Sequence, residues 1–349
     1  MLPTGVFYER YGAEAQVLKT LRSRLWLIGL AAVLVGLPVL SSAYVLGEMT
    51  HLFISLVAVF GLFVTVGMAG QINIAQSAFV GIGAFSAAKL SGYGIPFWVV
   101  IPASAVITAC ISTLFALPAA RVKGFYLALT TLAAQVMFPI VILALPMDWL
   151  GGLVGMSVEP VSLFGRNLST PVGFYYLALG LAVLATWMAF NLPRTRFGRA
   201  MIAVRDNDIA AGVMGIPVLQ IKVLAFFAGS LFAGAAGAMT AYFLQFVTVS
   251  SFTLFASVWY LGMLIVGGLH SPLGVILGVT FITLLQEGLH AIANAMMQSG
   301  AVGGGAVFAL SSVVLGGCIL IALIFEPRGL AHRWSVIRTA FQLWPFPRN

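Results

Sequence analysis

An all-α bundle of about ten membrane-spanning helices is the fold class this sequence predicts, and three observations predict it. Hydrophobic residues make up 61% of the 349-residue chain and charged residues only 7%, whereas a soluble domain carries about 25% charge to cover its surface. The mean hydropathy of +1.08 makes hydrocarbon, not water, the medium around most of that surface. Apolar runs close to the ~20 residues that cross ~30 Å of hydrocarbon recur along the whole length, and the basic residues fall in alternate loops.

Taken in order, the expected spans are 25–46, 50–68, 71–90, 97–120, 124–146, 173–192, 220–243, 255–270, 272–290 and 303–325. The first run is longer than the apolar part of a cleavable signal, and many more follow. The third carries Gln71, Asn73 and Gln76, and the eighth and ninth are short and meet at His270, Ser271 and Pro272. Interruptions of this kind are what helices broken around a transport path look like. Merging one short pair into a re-entrant hairpin leaves eight crossings and the same terminal locations.

Orientation follows from charge. With the N-terminus cytoplasmic, 15 of the 17 Lys and Arg face the cytoplasm: Arg10, Lys19, Arg22, Arg24, Arg121, Lys123, Arg194, Arg196, Arg199, Arg205, Lys222, Arg328, Arg333, Arg338 and Arg348. Only Lys89 and Arg166 lie opposite, and the reverse topology violates the positive-inside tendency. The chain therefore divides into a cytoplasmic segment 1–24, a transmembrane domain 25–325 and a cytoplasmic tail 326–349, with an external loop 147–171 and a cytoplasmic segment 193–217.

Both loops carry information. The external loop, with Asp148, Gly151, Gly152, Gly155, Glu159 and Arg166, is too polar and glycine-rich for a lipid-facing helix; it reads equally as a cap on an entrance, a receiver of an external partner or a plain connector. In the cytoplasmic segment, Pro193 and Gly198 precede a stretch in which Met201, Ile202, Arg205, Ile209, Ala210 and Val213 fall on overlapping helical faces, ending near Gly215 and Pro217. A short two-faced helix between breakers suits a soluble partner, and membrane anchoring through its arginines is the plainer alternative.

Here a resemblance becomes specific. Gly198-Arg199-Ala200, Ala203 through Asn207, Ala210-Ala211, Gly215-Ile216 and Lys222 resemble the coupling segment of the LivM family, permease subunits of ABC importers for branched-chain amino acids, to which urea-importer permeases are similar. Gly70-Gln71 with Ser77, Phe79, Gly81, Gly83, Ala84 and Phe85, the run 124–132, Gly267-Gly268 through Gly274, and the run 325–330 agree in the same order. Two places depart: Asn73-Ile74-Ala75-Gln76 stands where the family commonly has a Ser-Leu-Gly-His-like run, and 148–152 alters an external Thr-Gly-Gly-like feature.

The resemblance implies a bacterial inner-membrane permease that moves branched-chain or other small amino acids. It implies a second related permease chain, two ATPase subunits that bind ATP and magnesium, and an external solute-binding protein. Urea or a short amide is the nearest alternative solute. Arg199, Arg205 and Asp206 are then candidates for the ATPase-coupling surface, and Gln71, Asn73, Gln76 and Thr130 for the solute path.

The residues make physical sense without the family. Unpaired amides are costly against lipid, so Gln71, Asn73 and Gln76 should face protein, water or solute; Asn73 and Gln76, three apart, can share a face. Holding helices together and lining a pathway both satisfy that demand. Gly229, Ala233 and Gly237 recur at four-residue spacing as a helix-packing seam. Glu287 and His290, three apart, can pair on one face, which is the basis of a proton-coupled alternative.

Other classes find little footing. No Gly-x-x-x-x-Gly-Lys-Ser/Thr run is present, so the chain is expected to need a partner to hydrolyse nucleotide. The glycines at 81 and 83 lie outside any βαβ setting. No basic-aromatic platform supports nucleic-acid binding despite the net charge of +8. Cys110 and Cys318, both in apolar runs with no second ligand in reach, read as small packing residues.

Overall fold

The computed structural model describes residues 21–343 except 121, 123, 153, 164–165, 168–169, 299–312, 315, 318, 321–323 and 325–328. The described residues are mainly helical, as the composition requires. In chain order the helices are α1 (Leu21–Leu40), α2 (Ala43–Leu62, continued as a π-helix over Phe63–Met68), α3 (Gln76–Ser91), α4 (Phe97–Ala119), α5 (Phe125–Ala144), α6 (Pro171–Asn191), α7 (Arg196–Asp206), α8 (Asp208–Val213), α9 (Val218–Leu244), α10 (Leu254–Gly267), α11 (Pro272–Gln298) and α12 (Leu330–Leu343).

Seven helical stretches among the described residues are long and apolar enough to cross a membrane: 43–68, 97–118, 126–144, 171–194, 218–244, 249–267 and 272–292. Residues 28–39 form a shorter apolar helix. Seven of the ten expected spans thus meet that length and composition among the described residues, and the other three differ for identifiable reasons. The third expected span is helical only from Gln76, because residues 70–75 leave the helix, and α3 is 16 residues long. The tenth, 303–325, lies mostly outside the described residues. The first break also moves: Pro38 falls inside α1, and the chain turns at Ser41 and Ser42, ahead of Gly47.

Helix α9 is the axis of the bundle, with α2, α3 and α4 packed along it. Its small residues permit this. A Cβ at Gly229 would lie 2.6 Å from the Thr65 methyl, one at Gly83 would lie 2.6 Å from Gly234 Cα, and one at Gly237 would run into the Val80 carbonyl. A four-residue step turns ~40° past a full turn at ~100° per residue. Gly229 and Ala233 accordingly meet Gly61 on α2, whereas Gly237 has rotated onto α3. The seam is a band winding round the helix, which lets one element contact three neighbours at backbone distance.

Around this axis, α2 is the most enclosed helix, with every residue from Leu52 to Ala69 buried except Val66. Helices α5 and α6 present Tyr126, Ile140, Val183 and Trp187 outward, as a lipid-facing surface requires. Cys110 is exposed on α4 rather than packed inside, correcting the reading from its apolar context. Cys318 lies outside the described residues.

The two ends of the bundle are marked by long-range pairings. At one end, strand β1 (Met156–Ser157) in the 147–171 loop pairs antiparallel with β4 (Phe246–Val247), just past α9. The same loop forms a small hairpin of β2 (Ser162–Leu163) and β3 (Arg166–Asn167). On this end too, Tyr44 donates to Glu287 at 2.7 Å. Glu287 thus finds a partner on α2. The opposite, basic end carries Arg194, Arg196, Arg199, Arg205 and Lys222 with the tight α10–α11 turn, where Gly267 lies against the Gly274 carbonyl.

Candidate functional site

A helix that begins inside a bundle must have its first N–H groups satisfied by something other than water. The site grows from how this chain meets that demand at α3. Ahead of it, Ala75 N–H donates to Asn73 Oδ1 at 3.0 Å and Ile74 N–H to Thr131 Oγ1 at 3.1 Å. In its first turn, Ser77 N–H donates to Ser257 Oγ at 2.8 Å and Ala78 N–H to Gln135 Oε1 at 2.9 Å. Ser257 Oγ in turn donates to Gln135 Oε1 at 2.9 Å, while Gln135 Nε2 donates to the Phe252 carbonyl at 3.0 Å.

Helices α3, α5 and α10 therefore meet at one polar node. Gln135 stands ten residues along α5 and Ser257 ten residues from the end of α10, each about 15 Å from the basic end at ~1.5 Å per residue. The node is at mid-depth. Phe85, Phe138 and Phe252 pack above it toward the opposite end, with ring centroids 6.2–6.4 Å apart.

Of the residues expected on a solute path, the structure joins two and leaves two apart. Asn73 Nδ2 donates to Gln76 Oε1 at 3.2 Å, and Gln76 Nε2 donates to the Ala58 carbonyl of α2 at 2.6 Å. Both are buried. Gln71 is equally buried, yet neither atom of its amide has a partner, and the same holds for the Ser77 hydroxyl. Thr130 stands aside: its hydroxyl bonds back to the Tyr126 carbonyl within its own helix. Its neighbour Thr131 reaches the 70–75 stretch instead. One residue is ~100° of helical rotation, enough to turn a hydroxyl from the node to the helix flank.

Gln135 and Ser257 were missed by sequence reasoning, whereas Thr131, like Thr130, was left open between bonding its own helix and facing the path. Gln135 is the most polar residue of an otherwise apolar run, and that signal was available. Ser257 is indistinguishable from a packing serine until the fold places it.

At the basic end, the expected single helix is two. Asn207 adopts an extended conformation (φ −158°, ψ 105°), and its Oδ1 accepts from Ile209 and Ala210 N–H, capping α8 while α7 ends at Asp206. Thr195 caps α7 through Gly198 N–H. Lys222 at the start of α9 pairs with Asp208 at 3.6 Å.

The three expected coupling residues divide. Arg199 is exposed, its Nη1 donating to the Arg194 carbonyl at 2.9 Å. Arg205 is only 22% exposed and turns inward, with Nη1 donating to the Gly67 carbonyl at 2.8 Å. Asp206 accepts from Arg205 Nε at 2.9 Å and lies 2.8 Å from its Nη2. The outward surface of the segment carries apolar side chains beside these exposed polar ones: Phe197, Ile209, Val213 and Met214 are 60–83% exposed. His270, in the α10–α11 turn, has its pKa lowered by partial desolvation and then by the Arg205 charge.

Seven helical stretches able to cross a membrane, packed around a helix that begins at mid-depth, describe a multi-pass membrane protein. The profile described as the permease component of branched-chain amino acid transport systems matches residues 44–323. The chain belongs to that family. The high-affinity branched-chain amino acid transport permease LivM of Salmonella typhimurium is 28% identical over 336 residues, 89% of this chain and 75% of its own length. LivM of Escherichia coli K12 gives the same figures. The autoinducer 2 import permease LsrC of Enterobacter sp. strain 638 is 34% identical over 145 residues, 40% of each chain. No solved structure matches significantly.

Proposed function

We propose that this chain is the membrane-spanning permease subunit of an ABC importer for branched-chain or other small amino acids in a bacterial inner membrane, crossing ten times with both termini cytoplasmic. Its working complex contains a second related permease, two ATPase subunits holding ATP and magnesium, and a periplasmic solute-binding protein. Membership of the family supports the class, and the LivM relatives support the amino-acid solute.

The observation that carries the reading is the node at the start of α3. A helix broken at mid-depth presents backbone N–H groups and small polar side chains where a solute crossing the membrane must pass. Here those groups come from α3, α5 and α10, and their bonds can be exchanged when the helices shift. Gln71, Asn73 and Gln76 line the path with Ser77, Gln135 and Ser257, and Thr130 lies off it. The solute meets neutral donors and acceptors there, which suits a small zwitterion.

In this account ATP-driven closure of the partner subunits moves the segment 196–213, docked through Phe197, Ile209 and Val213. The helices above it then exchange inward-open and outward-open arrangements. The test is uptake by proteoliposomes holding the full complex and its binding protein, with leucine, isoleucine, valine, other amino acids and urea offered in turn. Nucleotide-dependent uptake of a branched-chain amino acid is expected. Uptake of urea with no amino acid would replace the solute assignment and leave the importer reading standing.

A further inference from the structure

We infer that Arg205 is a positioning residue that transmits movement of the 196–213 segment to the interrupted helix, acting inward on the end of α2. The inference rests on the importer reading above and assigns Arg205 and Arg199 opposite directions of action.

The geometry begins with a carbonyl that the helix leaves over. In a regular α-helix the Gly67 carbonyl would accept from residue 71, but past the π-helical turn that donor goes to another carbonyl while residue 70 keeps its ordinary partner four residues back. Gln71 N–H reaches Thr65 O at 2.9 Å and Gly70 N–H reaches Val66 O at 3.1 Å. The Gly67 carbonyl is thereby freed at the negative end of the helix dipole, where a cation is favoured, and Arg205 Nη1 fills it at 2.8 Å.

The guanidinium does not swing freely on this contact. Asp206 Oδ1 holds Nε at 2.9 Å and Nη2 at 2.8 Å, fixing the plane. Gly70 lies over the side-chain stem with φ +67°, and a Cβ there would come within 2.7 Å of Arg205 Cγ. Gly67 is also gripped from another side, since a Cβ on it would run into the Leu269 carbonyl of the α10–α11 turn.

From Gly67 the chain continues into Gln71, Asn73 and Gln76, the stretch whose hydrogen bonds define the node. A displacement of α7 is therefore delivered through a planar, doubly held side chain to the last turn of α2 and on to the start of α3. Arg199 has no such route, because its guanidinium is exposed and bonded within its own segment.

The test uses the full chain assembled with its permease and ATPase partners in nanodiscs, with Cys110→Ser and Cys318→Ser and pairs of spin labels. One pair, Ile72→Cys with Tyr93→Cys, reports the interrupted stretch against the opposite end. The other, Met214→Cys with Tyr93→Cys, reports the surface segment. With ATP and vanadate, both distances are expected to change in the parent complex. Arg205→Ala should abolish more than half of the 72–93 change while the 214–93 change persists, and Arg205→Lys, which keeps one donor but loses the fork, should fall between. Arg199→Ala should leave the 72–93 response intact whenever the 214–93 pair still moves.

An undiminished 72–93 change in Arg205→Ala overturns the inference. Should that variant fail to assemble, Asp206→Asn decides the matter: a reduced change supports the transmission route, and an unchanged one overturns it. If the parent moves at 214 but not at 72, the inference fails alone. If neither pair responds to nucleotide, the importer reading fails with it.

Discussion

Gln135 is a single amide in the middle of an apolar helix, yet it satisfies Ala78 N–H, accepts from Ser257 and donates to the Phe252 carbonyl. Removing it strands a backbone donor where no water competes, which costs about 1–3 kcal/mol per buried group. Gln135→Leu should therefore lower the unfolding temperature in detergent and reduce uptake at least tenfold. Gln135→Glu, which keeps the acceptor, should retain more stability than Leu. An unchanged melting curve for Gln135→Leu would remove Gln135 from the node.

His270 offers a second test at this scale, because it lies between two spans and its folded pKa is depressed. A free imidazole titrates near pH 6.5, so as pH falls the unfolded chain takes up this proton before the folded one. The stability His270 contributes is complete above about pH 6.5 and declines as pH drops below it toward the lower folded pKa. Arg205→Ala removes one of the two causes, so the His270 imidazole should titrate higher in that variant, as measured by NMR. A titration unmoved by Arg205→Ala would mean the charges are not neighbours. At this scale the sequence was partly legible. Asn73 and Gln76 announce themselves as amides in an apolar run, but whether Thr130 or Thr131 faces the node depends on helix rotation that no local pattern encodes.

Among the elements, α9 makes the sharpest demands, because α2, α3 and α4 approach it through glycines. Gly237→Val puts side-chain atoms onto the Val80 carbonyl, and overpacking of this kind costs about 1–3 kcal/mol; the assembled yield and the melting temperature should both fall. Gly180 on α6, with nothing within 4 Å of a Cβ, is the control. Gly180→Ala should be neutral or stabilising by up to ~1 kcal/mol, since alanine loses less entropy in a helix. Equal losses at 180 and 237 would contradict the packing described. The break between α7 and α8 depends on Asn207, and Asn207→Ala should cost ~0.5–2 kcal/mol of local stability, visible as faster amide exchange across 208–213. Unaltered exchange there would show that the cap is not what separates the helices.

Helix positions along α4, α5, α6, α9 and α11 were legible because ~20 apolar residues have few other uses. The α3 break was harder: Gln71, Asn73 and Gln76 marked a disturbance, but the side chains that let the helix start late come from α5 and α10, 57 and 180 residues away. A single helix from about Gly198 to Gly215 was expected because Met201, Ile202, Arg205, Ile209, Ala210 and Val213 can fall on overlapping helical faces, and periodicity does not register that Asn207 would bond forward to its own chain.

Across the whole molecule, the basic end carries an exposed apolar patch on α7 and α8, and a packed line runs from that segment through Arg205 and Gly67 to the polar node. The opposite end is tied by the β1–β4 pairing and the Tyr44–Glu287 contact. In the importer proposed above, energy input and solute passage would thus fall on separate parts of one continuous structure. The measurement that tests it most directly is uptake by purified chain in liposomes, alone and then assembled with its permease, ATPase and binding-protein partners, with and without ATP. Accumulation is predicted only for the assembled complex with hydrolysable nucleotide. Accumulation by the chain alone, driven by an ion gradient and indifferent to ATP, would contradict the account.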